Sequence, residues 1–83
     1  MPEMVQPFFI SLYGVSTEIT PVLSGLKMQY KITLPTREAV IEMIAANDRE
    51  GYWIEVGRGK TELAERAGSK IERVKTRASL FYI

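Results

Sequence analysis

The feature that most constrains this chain is a helical pattern with two distinct flanks between Thr61 and Tyr82. Projected at about 100° per residue, the apolar side chains of this segment fall in one sector. They are Leu63, Ala64, Ala67, Ile71, Val74, Ala78, Phe81 and Tyr82. An adjacent strip carries four positive charges, on Arg66, Lys70, Arg73 and Arg77. The pattern predicts a helix that buries one flank and presents a ladder of cations beside it.

The composition fits a single small domain spanning residues 1–83. Its hydrophobic fraction of 46% is ordinary for a globular protein and too high for a disordered one. The chain has no cysteine and no histidine, which excludes disulfides, the usual zinc sites and histidine-based nucleophile systems. We therefore expect a protein that is not an enzyme and has no metal or cofactor. Because chains of this size often need extra stabilisation, we expect a homo-oligomer or a larger protein assembly.

The start of the chain and its charge distribution bear on location and partners. Residues 1–4 lack the basic start and long apolar run of a secretory signal, which predicts a soluble, cytoplasmic protein without a membrane span. The net charge of +1 conceals an asymmetry. Residues 1–56 carry four basic and seven acidic side chains, and residues 57–83 carry seven basic and three acidic ones. Either chance in a short chain or a carboxy-terminal third that faces a polyanion accounts for this difference.

Upstream of the helix, the alternation of side chains predicts three strands. They cover residues Pro7–Tyr13, Met28–Leu34 and Tyr52–Val56. Pro21 makes the stretch from Val15 to Gly25 an edge strand or a loop. Thr36, as an N-cap before good helix formers, predicts a helix over Arg37–Asn47. The element order predicts an α+β domain, a small, mostly antiparallel sheet of about three strands with two helices packed on one face.

The segment Thr61–Ser69, read as Thr-Glu-Leu-Ala-Glu-Arg-Ala-Gly-Ser, resembles the first helix and turn of a helix-turn-helix DNA-binding unit. The predicted helix and strand before it follow the order found in winged helices. The resemblance implies a second helix that begins at Ser69. Ser69 and Arg77, however, are polar where that unit usually has apolar residues. The alternative is one uninterrupted helix, because the apolar stripe passes Gly68 without a change of phase and an internal glycine costs only about 1 kcal/mol.

The turn before this helix reads Gly57-Arg58-Gly59-Lys60-Thr61 and resembles the end of a phosphate-binding P-loop. That motif requires a glycine five residues before Gly59, where this chain has Ile54. The chain is also too short for the nucleotide-binding fold. The turn therefore indicates either a flexible connection or a site for one phosphate of a larger ligand.

Two functions are compatible with these patterns. The leading hypothesis is a small, non-enzymatic module that binds a polyanion, with nucleic acid as the first candidate. Its contacts would be Arg58, Lys60, Arg66, Lys70, Arg73 and Arg77. The competing interpretation of the stripe is a solvated face on which Glu62 pairs with Arg66.

The second hypothesis is a protein–protein assembly or accessory protein, such as a subunit of a larger particle or an inhibitor of another protein. It uses the large apolar side chains near both ends of the chain. These are Phe8, Phe9, Leu80, Phe81, Tyr82 and Ile83. The apolar tail either closes the protein's own core or inserts into a partner.

Overall fold

The protein folds as an antiparallel sheet of five strands followed by one helix. This computed structural model describes residues 6–46 and 49–81, with side chains described for residues 6–45 and 51–74. The elements are β1 (Phe8–Leu12), β2 (Val15–Ser24), β3 (Lys27–Thr33), β4 (Glu38–Ala46), β5 (Arg49–Glu55) and α1 (Glu62–Phe81). Each strand pairs with its neighbours in sequence, which gives the sheet order β1-β2-β3-β4-β5.

The sheet curls into a half-barrel around α1. The helix contacts β1, β4 and β5. Since β1 and β5 are the two opposite edges of the sheet, one helix can contact both only if the sheet bends around it. The helix therefore lies on the concave side, between the two edges.

The hydrophobic core lies between the concave face and α1. Side chains alternate along each strand, so that Tyr30 and Ile32 of β3 are buried while Gln29 and Lys31 are not. The buried apolar residues are Ile10, Leu12, Ile19, Tyr30, Ile32, Ala39, Ile41, Ala64, Ala67 and Ile71. The helix contributes Ala64, Ala67 and Ile71, all fully buried, and the small side chains of the two alanines let the helix approach the sheet closely.

The predicted helix over Arg37–Asn47 is wrong, because Glu38–Ala46 form strand β4. Ala39 and Ile41 point into the core, at 3% and 0% exposure, while Val40 pairs with Lys31 on the convex side. The apolar residues of this segment fit a period of two as well as a helical period. Strands β3 and β5 supply hydrogen-bond partners on both sides, so sheet pairing overrides the helix propensity of the segment.

The predicted fold class is corrected accordingly. In place of about three strands with two helices, the described residues form five strands and one helix, and most of them are in strands. The other strand added to the three predicted ones is β2, which contains Pro21. Strand β1 pairs with β2 only as far as Ile19, which lies opposite Phe8. Pro21 therefore lies where β2 has only β3 as a described neighbour, which is the kind of position that proline tolerates in a sheet.

Candidate functional site

The start of α1 is fixed by Thr61 and by the buried side chain of Glu55. Thr61 Oγ1 accepts a hydrogen bond from the Ala64 backbone N–H at 3.1 Å, which makes Thr61 the N-cap of the helix. The same hydroxyl donates to Glu55 Oε1 at 3.1 Å. The turn between them is closed by backbone hydrogen bonds in both directions between Glu55 and Gly59, at 2.8 and 2.9 Å. The last residue of β5 thus sets the position of the helix.

The carboxylate of Glu55 also forms two ion pairs. Arg37 Nη1 donates to Glu55 Oε2 at 2.8 Å, and Arg58 Nε lies 3.6 Å from the same oxygen. Burial alone would raise the pKa of Glu55, but hydrogen bonds from Arg37 and Thr61 and the charges of Arg37 and Arg58 lower it overall. Glu55 is therefore a buried carboxylate that ties the β3–β4 turn to the β5–α1 turn. Its negative charge beside Thr61 also makes this turn unlike the all-donor surroundings of a P-loop phosphate.

The helix is continuous through Gly68 and Ser69, so the uninterrupted helix is confirmed and the helix-turn-helix interpretation is wrong. The reason for a glycine inside the helix is the indole of Trp53. A Cβ atom at position 68 would lie 2.2–2.4 Å from three indole ring atoms. Trp53 Nε1 also donates to Glu72 Oε2 at 3.2 Å, one helical turn further on. Gly68 is thus the position at which β5 packs directly on the helix backbone.

On the side of α1 that faces away from Trp53 lies a surface that we call the basic flank. It is formed by Arg66, Lys70 and Arg73. Arg66 Nε pairs with Glu62 Oε2 at 2.9 Å, as the i, i+4 spacing predicts, and the guanidinium lies 5.2 Å from the ring centroid of Tyr13. The hydrogen bond and charge of Glu62 raise the pKa of Arg66. Lys70 and Arg73 make no ion pair or ring contact with the described side chains.

The six cations predicted to form one site are therefore divided among several places. Arg58 pairs with Glu55 in the turn before the helix. Lys60 lies over the ring of Tyr52, 4.5 Å from its centroid, on the β5 side of the helix. Arg77 belongs to α1, but its side chain is outside the described residues. Only Arg66, Lys70 and Arg73 share one described surface.

Beside the basic flank, toward strand β5, lies what we call the acidic flank, made by Glu62, Glu65, Ser69 and Glu72. Three of its members, Glu62, Glu65 and Ser69, also line a shallow groove with the basic flank. Between the acidic flank and strand β5 lies an open cleft of about 890 Å³. Met43, Gly51, Tyr52, Trp53, Lys60 and Thr61 complete its lining. The cleft therefore combines a carboxylate-rich wall with two aromatic rings.

The residues predicted for a protein interface also separate. Phe8 is half-buried against the core, whereas Phe9 on the convex side is 64% exposed. The tail side chains Leu80 and Phe81, together with residues 82–83, lie outside the described side chains. Phe9 is thus the one member of this set that the structure describes as an exposed apolar residue.

Sequence reasoning missed Tyr13 and Trp53 as surface-shaping residues. Tyr13 adopts a positive φ of 53° in the β1–β2 turn, followed by Gly14, which makes a tight turn that directs its ring toward α1. The available signal was the Tyr-Gly pair between two strand patterns. For Trp53 the signal was Gly68 itself, because a glycine that interrupts a good helix pattern often marks a close packing contact.

Two structural features and three comparisons with known proteins bear on the class of protein. Within the described residues, no group of acidic side chains is arranged to hold a metal ion. No helix in that part of the chain combines the length and apolar character needed to cross a bilayer. No protein-family model matches the sequence, and no curated protein or solved structure matches it either.

Proposed function

We propose that this protein binds single-stranded nucleic acid through the basic flank of α1 and the neighbouring ring of Tyr13. The observation that carries the proposal is the state of Lys70 and Arg73. Among the cations whose side chains are described, these are the two with neither an ion pair nor an aromatic contact. Two cations that are unneutralised side by side on one rigid helix attract a polyanion.

The spacing of the basic flank supports contact with a phosphate backbone. Arg66, Lys70 and Arg73 lie on one uninterrupted helix, and at about 1.5 Å rise per residue they cover roughly 10 Å. Successive phosphates of one strand are a few ångströms apart, so such a ladder can follow several of them. The contacts would be to backbone and would carry little sequence information.

Tyr13 favours a single strand over a duplex. Its side chain is 59% exposed, and Arg66 lies on the ring, so an aromatic surface adjoins the row of cations. Exposed rings beside a positive surface are the recurring means of binding unpaired bases, each stacked base contributing about 1–3 kcal/mol. A duplex hides its base faces and could use only the cations.

The test is the salt dependence of binding to a fluorescent single-stranded oligonucleotide, measured by anisotropy between about 50 and 200 mM salt. The double variant Lys70→Gln, Arg73→Gln should bind more weakly and reduce the slope of log affinity against log salt by about 1.4, since each lost contact is worth about 0.7. The matched control is Lys27→Gln, Lys31→Gln. It removes the same charge from β3, where both lysines pair with glutamates.

Equal slopes for the two double variants would show that any binding follows net charge and would overturn the assignment to the basic flank. Tyr13→Ala should weaken binding to the single strand but leave binding to a duplex of the same sequence unchanged. If both are weakened equally, Tyr13 does not stack on bases. An absence of binding at 50 mM salt would reject the function as a whole.

A second candidate function is assembly with another protein chain, and one observation favours it. Phe9 is 64% exposed on the edge strand β1, which has β2 as its one strand neighbour among the described residues. Edge backbone groups and a large apolar side chain therefore lie together. Phe9→Ser should then lower the molar mass found by light scattering. A wild-type chain that is monomeric at high concentration would reject self-assembly through this strand.

A further inference from the structure

The cleft between β5 and the acidic flank adjoins the basic flank, and Glu62, Glu65 and Ser69 border both. Its volume of about 890 Å³ is within the roughly 300–1,000 Å³ range of ligand sites. The indole of Trp53 lies against Gly68 at its base, and Glu62, Glu65 and Glu72 line its helical wall. The cleft therefore opens toward β5, the edge strand of the sheet.

The exposed edge of β5 supplies unpaired backbone groups to this cleft. Val56 N–H donates to the Val40 carbonyl at 2.7 Å, and backbone groups alternate in direction along an antiparallel strand. By this alternation Glu55 and Trp53 direct their N–H and C=O groups away from β4. Those of Glu55 bond to Gly59. Those of Trp53, in the middle of β5, have no strand partner among the described residues.

The chemistry of the lining selects a cation. Glu65 makes no hydrogen bond or ion pair with the described side chains, and Glu72 uses one oxygen to accept from Trp53. The lining sets three glutamates against Lys60, whose ammonium lies over the ring of Tyr52, so the charge of the lining is negative on balance. Aromatic rings and free carboxylates together attract ammonium and guanidinium groups.

We propose that this cleft binds an extended, basic peptide segment of a partner protein, which docks along the edge of β5. The peptide backbone bonds to the N–H and C=O of Trp53, and its Lys or Arg side chains reach Glu65 and Glu72 on the helical wall. Main-chain hydrogen bonds supply affinity in this mode of recognition, and the pockets for alternate side chains supply specificity. The site differs from the proposed nucleic-acid surface because it uses Trp53 and the edge of β5, although Glu62, Glu65 and Ser69 border both surfaces.

The test uses an eight-residue peptide of alternating Lys and Val, titrated into the intact protein. Trp53 is the one tryptophan of the chain and lines the cleft, so its fluorescence reports binding directly. A saturable change is expected with this peptide and none with its Glu-Val counterpart. A third peptide, with alternate backbone nitrogens methylated, should bind at least several-fold more weakly, because it cannot complete the backbone bonds.

Glu65→Lys should weaken binding of the Lys-Val peptide about tenfold or more, as a charge reversal at the contact does. The matched control is Glu38→Lys, which makes the same change of charge at a side chain that is 60% exposed on β4. Both variants are checked for wild-type melting temperature. The proposal is overturned if the acidic peptide binds as well as the basic one, if Glu38→Lys and Glu65→Lys behave alike, or if methylation has no effect.

Discussion

The two flanks of α1 carry opposite charges, and they differ in what lies beside them. The basic flank borders only a shallow groove of about 380 Å³, with the exposed ring of Tyr13 as its neighbour. The acidic flank forms one wall of a cleft, because Trp53 packs on Gly68 and draws β5 against the helix. An open row of cations, in which Lys70 and Arg73 make no ion pair with the described side chains, suits a long, flexible polyanion, whereas a deeper cleft suits a short segment. One amphipathic pattern in the sequence therefore corresponds to two surfaces of different shape.

Removing the side chain of Glu55 should have the largest effect on both flanks, because Glu55 positions the first turn of α1. Glu55→Ala removes the acceptor for Arg37, Arg58 and Thr61. Arg37 is 39% exposed and can be hydrated in the variant, so we expect a loss at the lower end of the range for buried pairs, about 3 kcal/mol of the free energy of unfolding. Urea unfolding measures this loss of stability.

The control is Glu62→Ala, which removes a carboxylate from an exposed helical pair with Arg66. Such exposed pairs are screened by solvent and contribute far less than a buried carboxylate with several partners. If the two variants lose similar stability, Glu55 does not have the organising role assigned to it.

A smaller effect, confined to one flank, is expected from Gly68→Ala. The added methyl group would overlap the indole of Trp53, and overpacking of this kind costs about 1–3 kcal/mol. The added Cβ would lie 2.2–2.4 Å from three ring atoms, which favours the upper end of that range. The gain in helix propensity offsets about 1 kcal/mol, so we expect a net loss of about 2 kcal/mol. The Trp53 fluorescence spectrum should shift, since the ring must leave its position on the helix.

Ser69→Ala is the control, because it makes a similar change at the next, exposed position of the helix. It should be neutral or slightly stabilising. Nucleic-acid affinity should survive in Gly68→Ala, because the basic flank is on the other side of α1. A Gly68→Ala variant as stable as wild type, with an unshifted spectrum, would contradict the packing described.

The helix and the strands of clear alternation could be predicted from the sequence, for a physical reason. In α1 the apolar residues recur only at helical spacing, and in β3 Tyr30 and Ile32 alternate with polar residues. The segment of β4 is ambiguous, because Ala39 and Ile41 have strand spacing while Val40, Ile41 and Ile44 have helical spacing. Its state is decided by pairing with β3 and β5, and that information is not local.

The candidate surfaces could be predicted only in part. The strip of Arg66, Lys70 and Arg73 follows from helical geometry alone, and so does the pairing of Arg66 with Glu62. The cleft does not, because it depends on which strand reaches the acidic flank. That strand is β5, and the contact between Trp53 and Gly68 joins residues 15 positions apart with a turn between them.

The pH dependence of stability should reflect Glu55 more than the charges of either flank. Its pKa is lowered in the folded state, so the carboxylate stabilises the fold above its unfolded pKa near 4.5. This contribution is lost as the pH falls through the folded pKa. The pKa of Glu42 is also lowered, chiefly by a hydrogen bond from Gln29. Protonation of Glu42 therefore also reduces stability as the pH falls. Urea midpoints should therefore fall below about pH 4.5.

Glu55→Gln separates these two carboxylates. It should have a lower urea midpoint than wild type at neutral pH but a flatter profile between about pH 5 and 3. Wild type should lose less free energy of unfolding on acidification than is lost in the Glu55→Ala variant, because a protonated carboxyl group can still accept a hydrogen bond from Arg37. An unchanged profile in Glu55→Gln would assign the acid sensitivity to other carboxylates.

The smallest effect on stability, and the sharpest test of the comparison, is expected from reversing one charge on each flank. Lys70→Glu and Glu65→Lys alter side chains that make no ion pair with the described residues, so each should change the free energy of unfolding by less than about 0.5 kcal/mol. Lys70→Glu should mainly weaken nucleic-acid binding and Glu65→Lys should mainly weaken binding of the Lys-Val peptide. Smaller changes are expected for the other ligand, because both residues line one shallow groove. If each variant changes both affinities by a similar factor in the direction of net charge, the two flanks act as one electrostatic surface and their different shapes do not matter for recognition.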